Sequence, residues 1–280
     1  MKTAIYITSV SPGTARALKF NRENKFGAVC RDLLGVLLIT AFFVVVFLLA
    51  LTSMAGTVQA QQTIFNVPSS DVLDKGKVYG ELDVTFKPND DEDDGVAKFS
   101  SVVPRVVVGT GGRVEVGLNI TGNIQPGADV TTLVPAVKYQ LYNGGDNGFT
   151  IVVGDNVFIP VRNRDLVTYD VGNYVYAQVS RTFKSTNGTR ITAGGYHFSR
   201  GVVAPDAQRA GGQFGFEQPV NSRFTILADY YTGKHAAGYF TPGFAFKPHP
   251  RVTGYVGYQI GNLNPGGNNF FYTAIGINFN

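Results

Sequence analysis

The sequence predicts an all-β fold: a closed antiparallel up-and-down transmembrane barrel of twelve strands, following a cleaved N-terminal signal peptide. Three observations predict it. After residue 60 no run of ten or more residues carries apolar side chains at i, i+3, i+4 and i+7, and glycine is too frequent for helices. In place of helices there are short segments of alternating polarity bounded by Gly, Asn, Asp or Pro. The connections between those segments alternate between tight and long.

The front of the chain has to be set apart before composition is read. Residues 33–51, LLGVLLITAFFVVVFLLAL, form an uncharged apolar run preceded by Lys2, Arg16, Lys19, Arg22, Lys25 and Arg31. Val58-Gln59-Ala60 then places small residues where a signal peptidase reads them, so residues 1–60 read as a secretory signal with cleavage after Ala60. A retained signal anchor is the competing reading, because roughly 20 apolar residues span a bilayer. Without residues 1–60 the chain keeps eighteen basic and eighteen acidic residues and no net charge. The basic pI therefore belongs to the leader and gives no reason to expect nucleic acid as a partner. The only cysteine, Cys30, precedes the apolar run, so the mature chain forms no disulfide and is not placed for lipidation.

The strand-like segments are 78–87, 98–109, 113–122, 131–142, 148–161, 169–183, 189–199, 209–218, 223–232, 237–247, 251–261 and 269–280. In RVEVGLNIT, Val114, Val116, Leu118 and Ile120 oppose Glu115, Gly117, Asn119 and Thr121. In RVTGYVGYQIG, Val252, Val256, Tyr258 and Ile260 oppose Thr253, Tyr255, Gly257 and Gln259. Segment 131–142 sets Leu133, Pro135, Val137, Tyr139 and Leu141 against Thr132, Ala136, Lys138 and Gln140. A soluble sandwich turns such an apolar face inward and a membrane barrel turns it outward. Segments of about 10 residues suit a tilted strand that crosses the hydrocarbon, whereas sandwich strands run nearer 5 or 6. Asp155 interrupts the apolar face of 148–161 and suggests a bulge near Gly154 or a shifted register. Segments 189–199 and 209–218 alternate poorly, which keeps a count of ten strands open.

Connections after even-numbered strands are turn-like: TGG, NGGDN, KSTNG, PVNS and PHP. Those after odd-numbered strands are longer, as in KPNDDEDDGV, NIQPGADV, VRNRDLV, RGVVAPDAQ and NLNPGGN, with GKHAA a short exception. Short periplasmic turns and longer external loops, with both termini on the periplasmic side, are the arrangement of an outer-membrane barrel, and it requires an even strand count, which twelve satisfies. The final segment FFYTAIGINFN pairs with the first, VYGELDVTF, because an open edge has no hydrogen-bonding partner in lipid. That alternating C-terminal strand with Phe279 near its end resembles bacterial outer-membrane β-barrel proteins, whose insertion machinery recognises a terminal aromatic residue. Here Asn280 follows the aromatic position. The run ADYYTGKHAAGYFTPGFAFKPHPRVTGYVGYQIG resembles the last hairpins of small-molecule channel-type barrels linked to uptake of organic compounds. The resemblance implies passage of small molecules across the outer membrane and carries no functional residue with it.

With no Trp, interfacial girdles fall to Tyr139, Tyr142, Phe149, Tyr169, Phe183, Tyr230, Tyr239, Phe240, Phe270 and Phe271. Counted from the turns, Glu81, Asp83, Arg105, Glu115 and Lys138 face the lumen with signs that alternate from strand to strand, and Asp229 faces Lys247. Opposed rows of this kind set a transverse field that selects solutes, or else simply fill the lumen with ion pairs. Residues 61–77 are too polar to span the membrane; Ile64-Phe65-Asn66-Val67-Pro68 either tucks into the lumen as a plug or belongs to a loose periplasmic lead. Asp90, Asp91, Glu92, Asp93 and Asp94 offer clustered oxygens to a hard cation, although an ordinary solvated loop explains them too.

GTGGR at 109–113 reads as a hairpin turn and not a phosphate loop, because no helix follows. His197, His235 and His249 are not spaced as metal ligands, and His197 with Ser199 lacks an orienting third group, so neither an enzyme nor a cofactor is expected. The expected partners are outer-membrane lipid and lipopolysaccharide, the barrel insertion machinery and an unidentified small solute. The alternative to passage is a non-conducting structural or adhesive barrel that acts through its external loops.

Overall fold

Antiparallel pairing of consecutive strands, and of the last strand with the first, builds every strand ladder in the computed structural model, which describes residues 63–87, 99–121, 130–145, 148–262 and 269–279. The strands are β1 (Val78–Lys87), β2 (Phe99–Gly111), β3 (Val114–Thr121), β4 (Thr131–Asn143), β5 (Phe149–Arg162), β6 (Gly172–Phe183), β7 (Thr189–Phe198), β8 (Ala210–Pro219), β9 (Phe224–Tyr231), β10 (Tyr239–His249), β11 (Val252–Gly261) and β12 (Asn269–Asn278). They form one closed barrel in which β12 returns to β1, from Tyr79 opposite Asn278 to Phe86 opposite Phe271. The alternating pattern of β12 is thus that of the strand that closes the barrel.

Twelve strands form, not ten. The weakly alternating β7 and β8 pair continuously from Arg190 opposite Glu217 to His197 opposite Ala210. Backbone pairing does not require a clean polarity pattern, and glycines on both strands dilute that pattern without breaking the ladder. Gly154 carries no bulge either: it pairs with Lys138 while Asp155 pairs with Val137, and the register shifts of β4 against β5 fall at the two ends, between Thr131 and Thr132 and between Gln140 and Tyr142. Asp155 thus stays in register on the outer face, between Val137 and Val175.

The burial pattern is the reverse of a soluble domain. Val116 and Phe214 are 43 % and 47 % exposed on the outer face, while Glu115 and Asp229 are 2 % exposed inside. Large apolar side chains left outside and charges drawn in make sense only where the outer medium is hydrocarbon. Tyr139, Tyr142, Phe149, Tyr230, Phe240 and Phe271 stand on the outer face as girdle residues should. Phe270 does not: it points inward and is buried, because parity along β12 alternates and only one of two adjacent aromatics reaches the outside.

The tight connections lie after even-numbered strands, on the side of the first and last strand ends. Between β2 and β3, Gly112 and Arg113 both take positive φ, 61° and 64°, which is the backbone of a tight hairpin.

Candidate functional site

The lumen is occupied by the segment that precedes β1. Thr63 and Pro68 bridge across a turn in which the Ile64 N–H donates to the Val67 carbonyl at 2.8 Å. The turn buries Ile64, Phe65 and Val67 in an apolar cluster with Tyr174, Tyr196, Leu227, Tyr231, Tyr255 and Tyr272. Phe65 meets Tyr272 edge-on, with ring centroids 5.4 Å apart. Glycines of the wall make the space. A Cβ at Gly215 would lie 2.1 Å from Ile64 Cδ1, and one at Gly243 would lie 2.7 Å from the Phe65 ring.

Polar contacts then fix the segment at successive heights. One carboxylate oxygen of Asp229 on β9 accepts the backbone N–H groups of Phe65, Asn66 and Val67 at 3.0, 2.5 and 2.8 Å. The Asn66 amide donates to Thr241 Oγ1 at 3.0 Å and accepts from Gln259 Nε2 at 2.9 Å. Toward the terminal side, Lys138 and Glu115 pair at 2.9 Å while both also hold the segment: Lys138 Nζ donates to the Ser69 carbonyl and Glu115 accepts the Leu73 N–H. Gln140 donates to the Ser70 carbonyl, and the Ser70 hydroxyl touches that of Ser180. Arg190 binds both Asp71 and Glu217. The segment leaves along β2, where Gly76 and Lys77 exchange backbone hydrogen bonds with Gly109; a Cβ on Gly109 would lie 2.0 Å from the Asp74 carbonyl oxygen.

Of the residues expected in the lumen, Glu81, Asp83 and Arg105 form one cluster, with Arg105 to Glu81 at 2.8 Å and to Asp83 at 3.2 Å. Arg105 also donates to Asn119 Oδ1 and to Thr63 Oγ1 of the inserted segment. Glu115 and Lys138 form the second cluster. Asp229 does not face Lys247. It lies opposite Thr241, six positions along β10 from Lys247, and its charge is taken up by the inserted backbone. Lys247 instead lines a cavity of about 640 Å³ at the terminal-side mouth, together with Asp71, Arg190, Glu217, Arg223 and Asn278.

Residues 90–94 lie outside the described residues, as do residues 1–62. His197 points outward on β7, and Ser199 Oγ accepts the Asn173 N–H at 2.8 Å. His235, in the loop between β9 and β10, is buried against Tyr196, which contacts its Nε2 at 2.6 Å. Burial pushes this imidazole below its ordinary value, and a hydrogen bond with the Thr232 backbone works against that push. His249 closes β10. Among the described residues no group of three or more His, Cys, Asp or Glu gathers as metal ligands.

Sequence reading did not single out Asp71 or Arg190. Arg190 shares its face with Thr192, Gly194, Tyr196 and Phe198, a parity visible in TRITAGGYHF once the strand is accepted. Asp71 has no periodicity to place it.

An even number of antiparallel strands, closure without an edge, an apolar exterior around an ionised interior, and turns on the terminal side decide the class. The chain is a transmembrane β-barrel of the outer-membrane type. No family model matches the chain, and no curated protein matches its sequence. Among solved structures, the translocator domain of the autotransporter NalP from Neisseria meningitidis is similar over 75% of this chain and 90% of that domain, at 10% identity and a TM-score of 0.40. Two engineered mutants of the Rhodopseudomonas blastica porin are similar over 72% of this chain and 99% of theirs, at 10% and 9% identity and TM-scores of 0.35 and 0.34. Likenesses this distant say nothing about solute or partner.

Proposed function

We propose that this barrel sits in the outer membrane of a double-membraned bacterium and gives small polar solutes a gated passage, with residues 63–77 as the plug that leaves its seat when a solute crosses. In this reading residues 1–60 direct export and are removed. The observation that carries the proposal is the nature of the filling. A barrel built only as a scaffold fills its interior with its own strand side chains. This lumen is lined by ionised groups and occupied by a separate segment, held at Asp229, Glu115, Lys138 and Arg190 by hydrogen bonds that water or a polar solute can replace. Glu81 and Asp83 with Arg105, and Glu115 with Lys138, are ion pairs between neighbouring strands on one side of the wall, and they would present polar groups to a solute once the plug moves.

The test is ion conductance in a planar bilayer, using residues 61–280 refolded in detergent and a variant lacking 63–73, each checked for heat-modifiable migration. Discrete steps that become larger or more frequent without the plug are expected, with ion selectivity shifted by Arg105→Glu or Lys138→Glu. Silence from both folded proteins would contradict the proposal and favour a non-conducting barrel that acts through its external loops.

A further inference from the structure

We propose that the cavity at the terminal-side mouth binds a small organic oxyanion, and that such anions are the solute class of the passage proposed above, on which this assignment rests. Five charged side chains line the cavity: Asp71 and Glu217, and Arg190, Arg223 and Lys247. Arg190 is fully engaged by the two acids. Its Nη1 meets both Asp71 oxygens at 2.8 and 2.7 Å, and its Nη2 meets Glu217 at 2.8 Å. That leaves the positive charges of Lys247 and Arg223 with no hydrogen-bonding or ion-pair partner among the described residues.

Lys247 stands inside the barrel. It shares the parity of Thr241 and Ala245, both buried, and it is itself half-buried. An ammonium drawn partly out of water with no counter-charge is costly, and an oxyanion in the cavity removes that cost. Asn278 adds a second, independent feature. It lines the same cavity, is more than nine-tenths buried, and its Oδ1 finds no partner among the described residues, so a polar group of the cavity wall is left unsatisfied beside Lys247.

The charge balance excludes the other solute classes. A cationic solute meets a net positive wall, and a neutral one leaves the half-buried Lys247 uncompensated, whereas Arg223 is exposed at the rim. A volume of about 640 Å³ admits a small molecule and no macromolecular segment of any length. A lipid headgroup is excluded by direction, because Lys247 faces the lumen. The same geometry links the anion to the plug. Asp71 belongs to the plug, and an arriving carboxylate competes with it for Arg190, so occupancy of the mouth weakens the plug's hold.

The experiment is calorimetric titration of refolded residues 61–280 at low ionic strength with D-gluconate, and with D-glucose as the neutral counterpart. Gluconate is expected to bind and glucose not, with binding weakened by added salt. Lys247→Gln should weaken it roughly tenfold or more, the size of one charge-assisted contact, while Lys247→Arg keeps it. Asp71→Asn should act in the opposite direction and tighten it, because it frees Arg190 and removes a negative charge. Equal binding of both compounds, binding of neither, or indifference to Lys247→Gln overturns the site. The titration needs no open pore, so the two proposals fail separately. A barrel that conducts without its plug but ignores gluconate loses this site and keeps the passage. One that binds gluconate and never conducts loses the passage and keeps the site.

Discussion

A single nitrogen of Arg190, Nη1, donates to both carboxylate oxygens of Asp71, at 2.8 and 2.7 Å, while the rest of the guanidinium holds Glu217. One cation on β7 thereby ties the plug to the wall and neutralises the wall's own acid. Replacing it with methionine keeps most of the volume and removes both links. Arg190→Met should loosen the plug by about 2 kcal/mol, the worth of a charge-assisted contact. Limited proteolysis within 61–77 should then speed up, and adding Asp71→Asn to that variant should change little further.

Asp229 makes a different kind of attachment, since it accepts three consecutive backbone N–H groups. Asp229→Leu leaves those donors buried without an acceptor, which costs on the order of 3 kcal/mol. Amide exchange at Phe65, Asn66 and Val67 should rise roughly a hundredfold. Exchange elsewhere on β9 should stay as it is, because the strand keeps its ladder with β8 and β10.

The inverted exterior makes its own prediction. Leu118 stands on the outer face at the middle of β3, between the inward Gly117 and Asn119. Leu118→Arg should destabilise folding into lipid vesicles by about 2–4 kcal/mol, whereas Leu118→Met should cost less than about 1.5 kcal/mol. Urea titration of vesicle-inserted protein measures both.

The loop between β9 and β10 should respond to mild acid. His235 Nδ1 accepts the Ala237 N–H at 3.2 Å, so the neutral ring carries its proton on Nε2, toward Tyr196. Burial holds the folded-state value below the ordinary one of roughly 6.5, so below that pH the unfolded loop binds more protons than the folded loop. The stabilising contribution is therefore complete above about 6.5 and is lost as pH falls below it. A nitroxide carried by Lys234→Cys should gain mobility between pH 7.5 and 5.5, and His235→Gln should abolish the response.

The barrel was legible because it rests on period-2 patterning, and lipid outside with an ionised interior keeps that pattern strict. Val114 to Thr121 is the clearest case. Legibility failed where the determinants are not periodic. Nothing in the parity of β9 and β10 shows that Asp229 meets backbone N–H groups instead of Lys247, because its partners come from a non-strand segment more than 160 residues away. The cradle for Ile64 and Phe65 is written as glycines, and in sequence Gly215 and Gly243 read only as weakened strand positions. The dead ends at Gly154 and Phe270 share one cause: local composition signals a face or a bulge, while ladder register decides which one forms.

The most direct measurement locks the plug in place. The hydroxyls of Ser70 on the plug and Ser180 on the β6 wall touch, and residues 61–280 contain no cysteine, so Ser70→Cys with Ser180→Cys introduces a single reversible tether. Solute efflux from vesicles carrying this variant is then compared before and after reduction. No efflux is expected while the disulfide holds, and solute release once dithiothreitol breaks it. Equal efflux in both states would show that solutes cross without the plug leaving its seat, and would contradict a gated passage.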